Sequence, residues 1–126
     1  MNATVRSFPI VDFVDGDRFI AVRSRDLSNP SFNDDSNQNA LLYRLNRDGQ
    51  EIFNSFIQPL DEAGSITTTE NGITTKIIDD GKNRSVVLQL LIRDKIATPS
   101  HWQQIAQARE NLAQRYQIVL EVVIIP

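Results

Sequence analysis

Cysteine is absent from the 126 residues, which removes disulfides, thiolate nucleophiles and thiolate metal sites together and fits a reducing compartment. Histidine occurs once, as His101, so the side chain most used for acid–base chemistry near neutral pH has a single representative. The five glycines, Gly16, Gly49, Gly64, Gly72 and Gly81, are widely separated. None opens a helix, so no phosphate cradle is present. The longest apolar runs, "VVLQLLI" and "IVLEVVII", fall far short of the roughly 20 residues that span a bilayer. The start, "MNATVRSFPIVDFVDGD", lacks the apolar run of a secretory signal because Asp12 and Asp15 interrupt it. A soluble, cytoplasmic protein with no membrane segment is expected.

Excess charge of one sign is also missing. Residues 1–58 carry six basic and eight acidic side chains, and residues 59–126 seven and eight. Neither half is a basic module, so nucleic acid is not an expected partner. The 40% hydrophobic and 23% charged residues describe a globular chain, and a chain of this length buries roughly two-thirds of the surface its unfolded form exposes. One α+β domain over residues 1–126 follows.

What is present is a succession of β-branched runs separated by turn residues. "TVRSFPIVDFV" and "DRFIAVRS" meet at Asp15-Gly16 and read as a first antiparallel pair, with Pro9 holding the strand start near Ile10 or at an edge. The segment "DLSNPSFNDDSNQN", at about 26–39, is too polar to bury itself and reads as a long loop. Asn33, Asp35, Asn37 and Asn39 alternate like calcium-loop ligands, but the turn glycine and the distal glutamate of such loops are missing. "ALLYRLN" and "EIFNSFI" flank Asp48-Gly49, which predicts a second ribbon over Ala40–Ile57, ended by Pro59.

In "SITTTENGITTKII" a two-residue Asn71-Gly72 turn sets Glu70 opposite Ile73, Thr69 opposite Thr74 and Ile66 opposite Ile77. The threonines are accounted for by β propensity and cross-strand pairing. Val86 to Ile92, interrupted only by Gln89, has the pattern of a strand covered on both faces at the centre of the sheet.

From Thr98 the period changes to 3.6. Thr98 caps, Pro99 takes the first turn, and Trp102, Ile105, Ala106, Leu112, Ala113 and Tyr116 form one stripe of an amphipathic helix at about 99–116, with Trp102 as its anchor. "IVLEVVII" then forms a C-terminal strand, beside or near Val86–Ile92 through a crossover. Its one charge, Glu121, is expected to be exposed. The fold class these elements give is α+β: a mostly antiparallel sheet of about six or seven strands built from hairpins, with one helix on one face. A single helix leaves part of such a sheet bare, to be closed by curling into a partial barrel or covered by another subunit.

Chemistry is sparse. Asp79 and Asp80 sit with Lys82 in "DDGKN", and His101 is near a helix start; these are the candidates for a small metal-dependent hydrolase or nuclease, although no triad spacing accompanies them. No catalytic assignment, cofactor or metal follows. Arg18, Arg23 and Arg25 form the one local basic cluster and are candidates for holding an anion or an acidic partner. Val119, Glu121, Val123 and Ile125 are candidate contact residues, because a long apolar terminal strand invites pairing at a sheet edge. The expected function is therefore a non-enzymatic interaction or regulatory domain working through a sheet surface or edge, as a homo-oligomer or a small subunit bound to a protein partner. The alternatives are the metal-dependent enzyme and a small-ligand pocket lined by Phe13, Phe19, Phe53 and Phe56.

Overall fold

The computed structural model describes residues 4–5, 11–16, 18–34, 38–70, 73–78 and 84–126. Its main sheet has five strands: β1 (Thr4–Val5), β2 (Phe13–Asp15), β3 (Arg18–Ser24), β6 (Ser85–Arg93) and β7 (Ile118–Ile125), in that spatial order. β1, β2 and β3 are joined antiparallel, whereas β3, β6 and β7 run parallel. Among the described residues, a separate two-stranded ribbon, β4 (Ser65–Glu70) and β5 (Ile73–Ile78), makes no ladder with that sheet.

This corrects the expected mostly antiparallel sheet of six or seven strands. The physical reason lies in Ala40–Ile57. That stretch is not a ribbon: α1 (Ala40–Ile52) runs into a π-helical turn over Phe53–Ile57 and then α2 (Gln58–Ala63). Leu41, Leu45, Ile52, Phe56 and Leu60 are all fully buried, a spacing that keeps them on one side of a helix. Pro59 does not stop a strand; it follows directly on the π-helical turn, where the Gln58 N–H bonds to the Phe53 carbonyl, an irregularity of the kind at which a helix takes up a residue that cannot donate. A helical crossover between β3 and β6 allows the parallel pairing that a chain of hairpins could not give.

Asp48-Gly49 therefore lies inside α1 rather than at a turn. A Cβ on Gly49 would overlap Leu112 Cδ2 and stand 3.3 Å from its Cγ. Glycine here allows α1 to approach α3 (Pro99–Tyr116) closely. Where a turn does require glycine, Gly16 takes φ +61° between β2 and β3.

Other local readings agree with the structure. The β4–β5 ribbon has Glu70 opposite Ile73, Thr69 opposite Thr74 and Ile66 opposite Ile77; the turn residues Asn71 and Gly72 lie outside the described residues. β6 is an interior strand between β3 and β7, although β3 and not β6 is the middle of the five, and Thr98 caps α3 by accepting the His101 N–H at 3.2 Å.

The buried face of α3 differs from the predicted stripe. It consists of His101, Gln104, Ile105, Ala108 and Leu112. Trp102 is 42% exposed and is not the anchor. Gln104 instead reaches α1, where its side-chain oxygen accepts the Leu42 N–H at 3.1 Å. Asn39 makes no side-chain cap there, so the neighbouring helix satisfies a donor that the first turn of α1 leaves open.

The core lies between these helices and one face of the sheet. Phe19 and Ala21 of β3, Val86, Leu88, Leu90 and Ile92 of β6, and Ile118 and Leu120 of β7 pack with α1, α2 and α3 residues. Phe19 and Phe56 meet at a 5.3 Å centroid distance inside it, and Phe53 lies 5.1 Å from Tyr116. These phenylalanines fill the core rather than line a barrel; for Phe13 only its strand position opposite Ile20 is described. No helix among the described residues is long and apolar enough to cross a membrane.

Candidate functional site

Among the described residues, β7 is one edge of the five-stranded sheet and β1 the other. β1 has two residues and β7 eight. Short edge strands offer little to pair with, whereas a long one presents a row of open backbone groups. Side chains alternate along β7, and because Leu120 belongs to the helix-side core, Val119, Glu121, Val123 and Ile125 project from the opposite face. Val119 is 46% exposed, and Val123 and Ile125 are each 36% exposed.

Glu121 neither stands free in solvent nor sinks unpaired. Arg18 Nη2 donates to its Oε2 at 2.7 Å and Gln89 Nε2 to its Oε1 at 3.2 Å. Arg18 reaches it from β3, across β6. Both side chains of the ion pair remain about two-fifths exposed, so its worth to folding is of the order of 0.2–1 kcal/mol. Its geometric effect is larger: the single charge of β7 is drawn inward and answered.

Arg23 and Arg25 belong elsewhere. Arg23 Nη1 lies 3.6 Å from Asp12, whose Oδ2 also accepts the Val22 N–H at 2.7 Å. Arg25 donates through Nη2 to both carboxylate oxygens of Asp48, at 2.7 and 2.6 Å. Asp48 is almost wholly buried, and that desolvation raises its carboxyl above the ordinary carboxylate range, against the pull of the Arg25 charge and hydrogen bond. Each of the three arginines thus has its own carboxylate, and they form no shared anion cradle. Asp48, 23 positions from Arg25, was not legible as its partner.

A hollow of about 430 Å³ opens at the C-terminal ends of β3, β6 and β7, bordered by Ser24, Arg25, Asp26, Leu91, Arg93 and Ile125. Ligands of parallel sheets favour that end. Here Arg25 is engaged by Asp48, and the Ser28 hydroxyl and backbone N–H hold the Asp26 carboxyl below its usual range. Arg93 is the third charge on the rim, and its pull on Asp26 is a minor one.

His101 is a structural residue. It is 1% exposed, its Nδ1 accepts the Thr98 N–H at 3.0 Å, and its Nε2 lies 2.9 Å from the Phe32 carbonyl. A backbone N–H can only donate, so the ring proton sits on Nε2 and is donated to Phe32. Both nitrogens are used in tying the polar segment, which carries a 3₁₀ turn at Pro30–Phe32 and a buried Leu27, to the start of α3. Asp79 and Asp80, the other catalytic candidates, lie outside the described residues, as do Asp35 and Asn37. Asn33 donates to the Leu27 and Asn29 carbonyls. Among the described residues, no three His, Asp or Glu side chains gather as a metal site would require.

No family model matches the chain, and no curated protein matches it. A chain of the solved CdiA-CT/CdiI toxin and immunity complex from Yersinia pseudotuberculosis has a similar fold, with a TM-score of 0.59 over 95% of this chain and 85% of that one. The two are 14% identical, so the likeness is one of fold.

Proposed function

We propose that this chain is a non-enzymatic protein-interaction domain whose contact element is the β7 edge with the exposed side chains of that strand. The observation that carries the reading is the eight-residue edge strand with exposed Val119, Val123 and Ile125, whose only charge is occupied by Arg18. Natural sheet edges are usually blunted by brevity, proline or free charge; within its eight residues β7 has none of these. Support also comes from the fold neighbour, which was solved as part of a toxin and immunity complex, an assembly of one protein with another.

Native mass spectrometry of the protein purified gently from its own cells tests this. The expected result is a protein assembly, and Val123→Lys, which places a charge on the edge while leaving the helix-side core intact, returns the chain to monomer mass. A bare monomer from the natural chain, or an assembly that Val123→Lys leaves unchanged, contradicts the reading.

A further inference from the structure

The backbone directions along β7 specify what can pair with it. The Asp94 N–H donates to the Ile125 carbonyl at 2.8 Å, and β6 and β7 are in parallel register from Val86–Ile118 to Arg93–Ile125. Successive residues of a strand direct their backbone groups to alternate sides, so Val119, Glu121, Val123 and Ile125 bond toward β6. The groups of Leu120, Val122 and Ile124 point to the free edge. These three positions are symmetric about Val122.

We infer that β7 pairs antiparallel with β7 of a second copy of this chain, about a two-fold axis at Val122. This rests on the edge reading above. An isologous contact requires a self-complementary surface, and this register supplies one. Val122 faces its own counterpart, Leu120 faces Ile124 of the second copy, and each of these opposed residues exchanges both of its edge-facing bonds. On the face away from the helices Val119 meets Ile125 of the second copy and Glu121 meets Val123.

Competing registers fail on named residues. An axis at Glu121 gives an equal overlap within β7 but sets the two Glu121 side chains directly opposite at a close, non-hydrogen-bonded position, where like charges repel. An axis at Leu120 leaves exposed Val123, Ile124 and Ile125 unpaired. An axis at Ile124 puts Pro126, which has no N–H, opposite Val122. In the Val122 register Glu121 stays beneath Arg18 and Gln89 and faces only an apolar neighbour.

The absence of natural cysteine makes the register testable by single thiols. At an antiparallel hydrogen-bonded pair the Cα atoms are about 5.5 Å apart, within the roughly 4.4–6.8 Å that a disulfide spans. Under copper–phenanthroline oxidation, Val122→Cys is expected to form covalent dimer. Glu121→Cys is expected to stay monomeric under the same conditions, because its counterpart is then a diagonal neighbour roughly 7–8 Å away. Sedimentation equilibrium of the purified natural chain across a concentration series is expected to show reversible dimer.

Cross-linking at Glu121→Cys in place of Val122→Cys, or equally at both, overturns the register. A natural chain that stays monomeric throughout the series overturns the second copy as occupant. If protein from its own cells then carries a different polypeptide released by Val123→Lys, the edge reading survives without this inference; if it is a bare monomer there too, both fall.

Discussion

Gly49 of α1 sits against Leu112 of α3 with no room for a methyl group between them. The two helices that roof the sheet are held at that distance by an absent side chain. Gly49→Ala tests the contact because the two effects of the substitution oppose each other. Alanine is better than glycine inside a helix by about 1 kcal/mol, while overpacking a filled core costs about 1–3 kcal/mol. Leu112 is fully buried and has little freedom to move aside, so the substitution is expected to destabilise the fold on balance, by up to about 2 kcal/mol in urea denaturation. A gain in stability would show that the helices do not need the glycine.

The Arg25–Asp48 pair predicts a pH dependence of definite sign. Burial raises the Asp48 carboxyl above its ordinary value of 3.8. The folded state then holds the Asp48 proton more tightly than the unfolded chain does. Stability from this group is complete below that ordinary value and declines as pH rises through the folded value. The natural chain, measured against Asp48→Asn, is therefore expected to be relatively most stable near about pH 4 and to lose that advantage toward neutrality. Chemical denaturation at a series of pH values reads this, and an advantage that grows with pH would mean the ion pair outweighs desolvation.

His101 should respond to substitution as a cap and not as a catalyst. His101→Ala leaves the Thr98 N–H and the Phe32 carbonyl without their partner, at a cost of about 1–3 kcal/mol. Glutamine at the same helix position is a natural capping-box residue, so His101→Gln is expected to retain most of the stability. Equal losses in the two variants would remove the capping account.

Arg18→Ala separates folding from association. The pair with Glu121 is partly exposed, so unfolding stability is expected to change by less than about 1 kcal/mol. Association is expected to weaken more, and more at low salt than at high salt, because Glu121 would then bring an unanswered charge to the edge. Sedimentation at two ionic strengths compares the two; unaltered association would mean that Arg18 has no part in preparing the edge.

The elements that sequence reveals here are those whose signals are local. α3 announces itself through Thr98, Pro99 and a change of period, and the β4–β5 ribbon through Asn71-Gly72. Ala40–Ile57 misleads because Asp48-Gly49 is a strong turn pair, although Leu41, Leu45, Ile52, Phe56 and Leu60 already carry a helical spacing. What Gly49 is for depends on Leu112, far along the chain and visible only after packing. The antiparallel expectation fails with that one segment, since a helical crossover reverses the relation of β3 to the strand that follows. Trp102 misleads by size, because its neighbour His101 takes the buried position. In the candidate site, the edge residues of β7 were legible from the apolar run itself, but the Arg18–Glu121 pair joins residues separated by 103 positions and follows only from strand order.

Residue-resolved amide hydrogen exchange on the assembled protein tests the central claim, that β7 is the contact edge, most directly. The Leu120, Val122 and Ile124 amides point away from β6, and a paired edge predicts that they exchange as slowly as those of Val119, Glu121 and Val123. Fast exchange at Leu120, Val122 and Ile124 in a protein known to be assembled, with slow exchange at the alternate positions, would show a free edge and contradict the account.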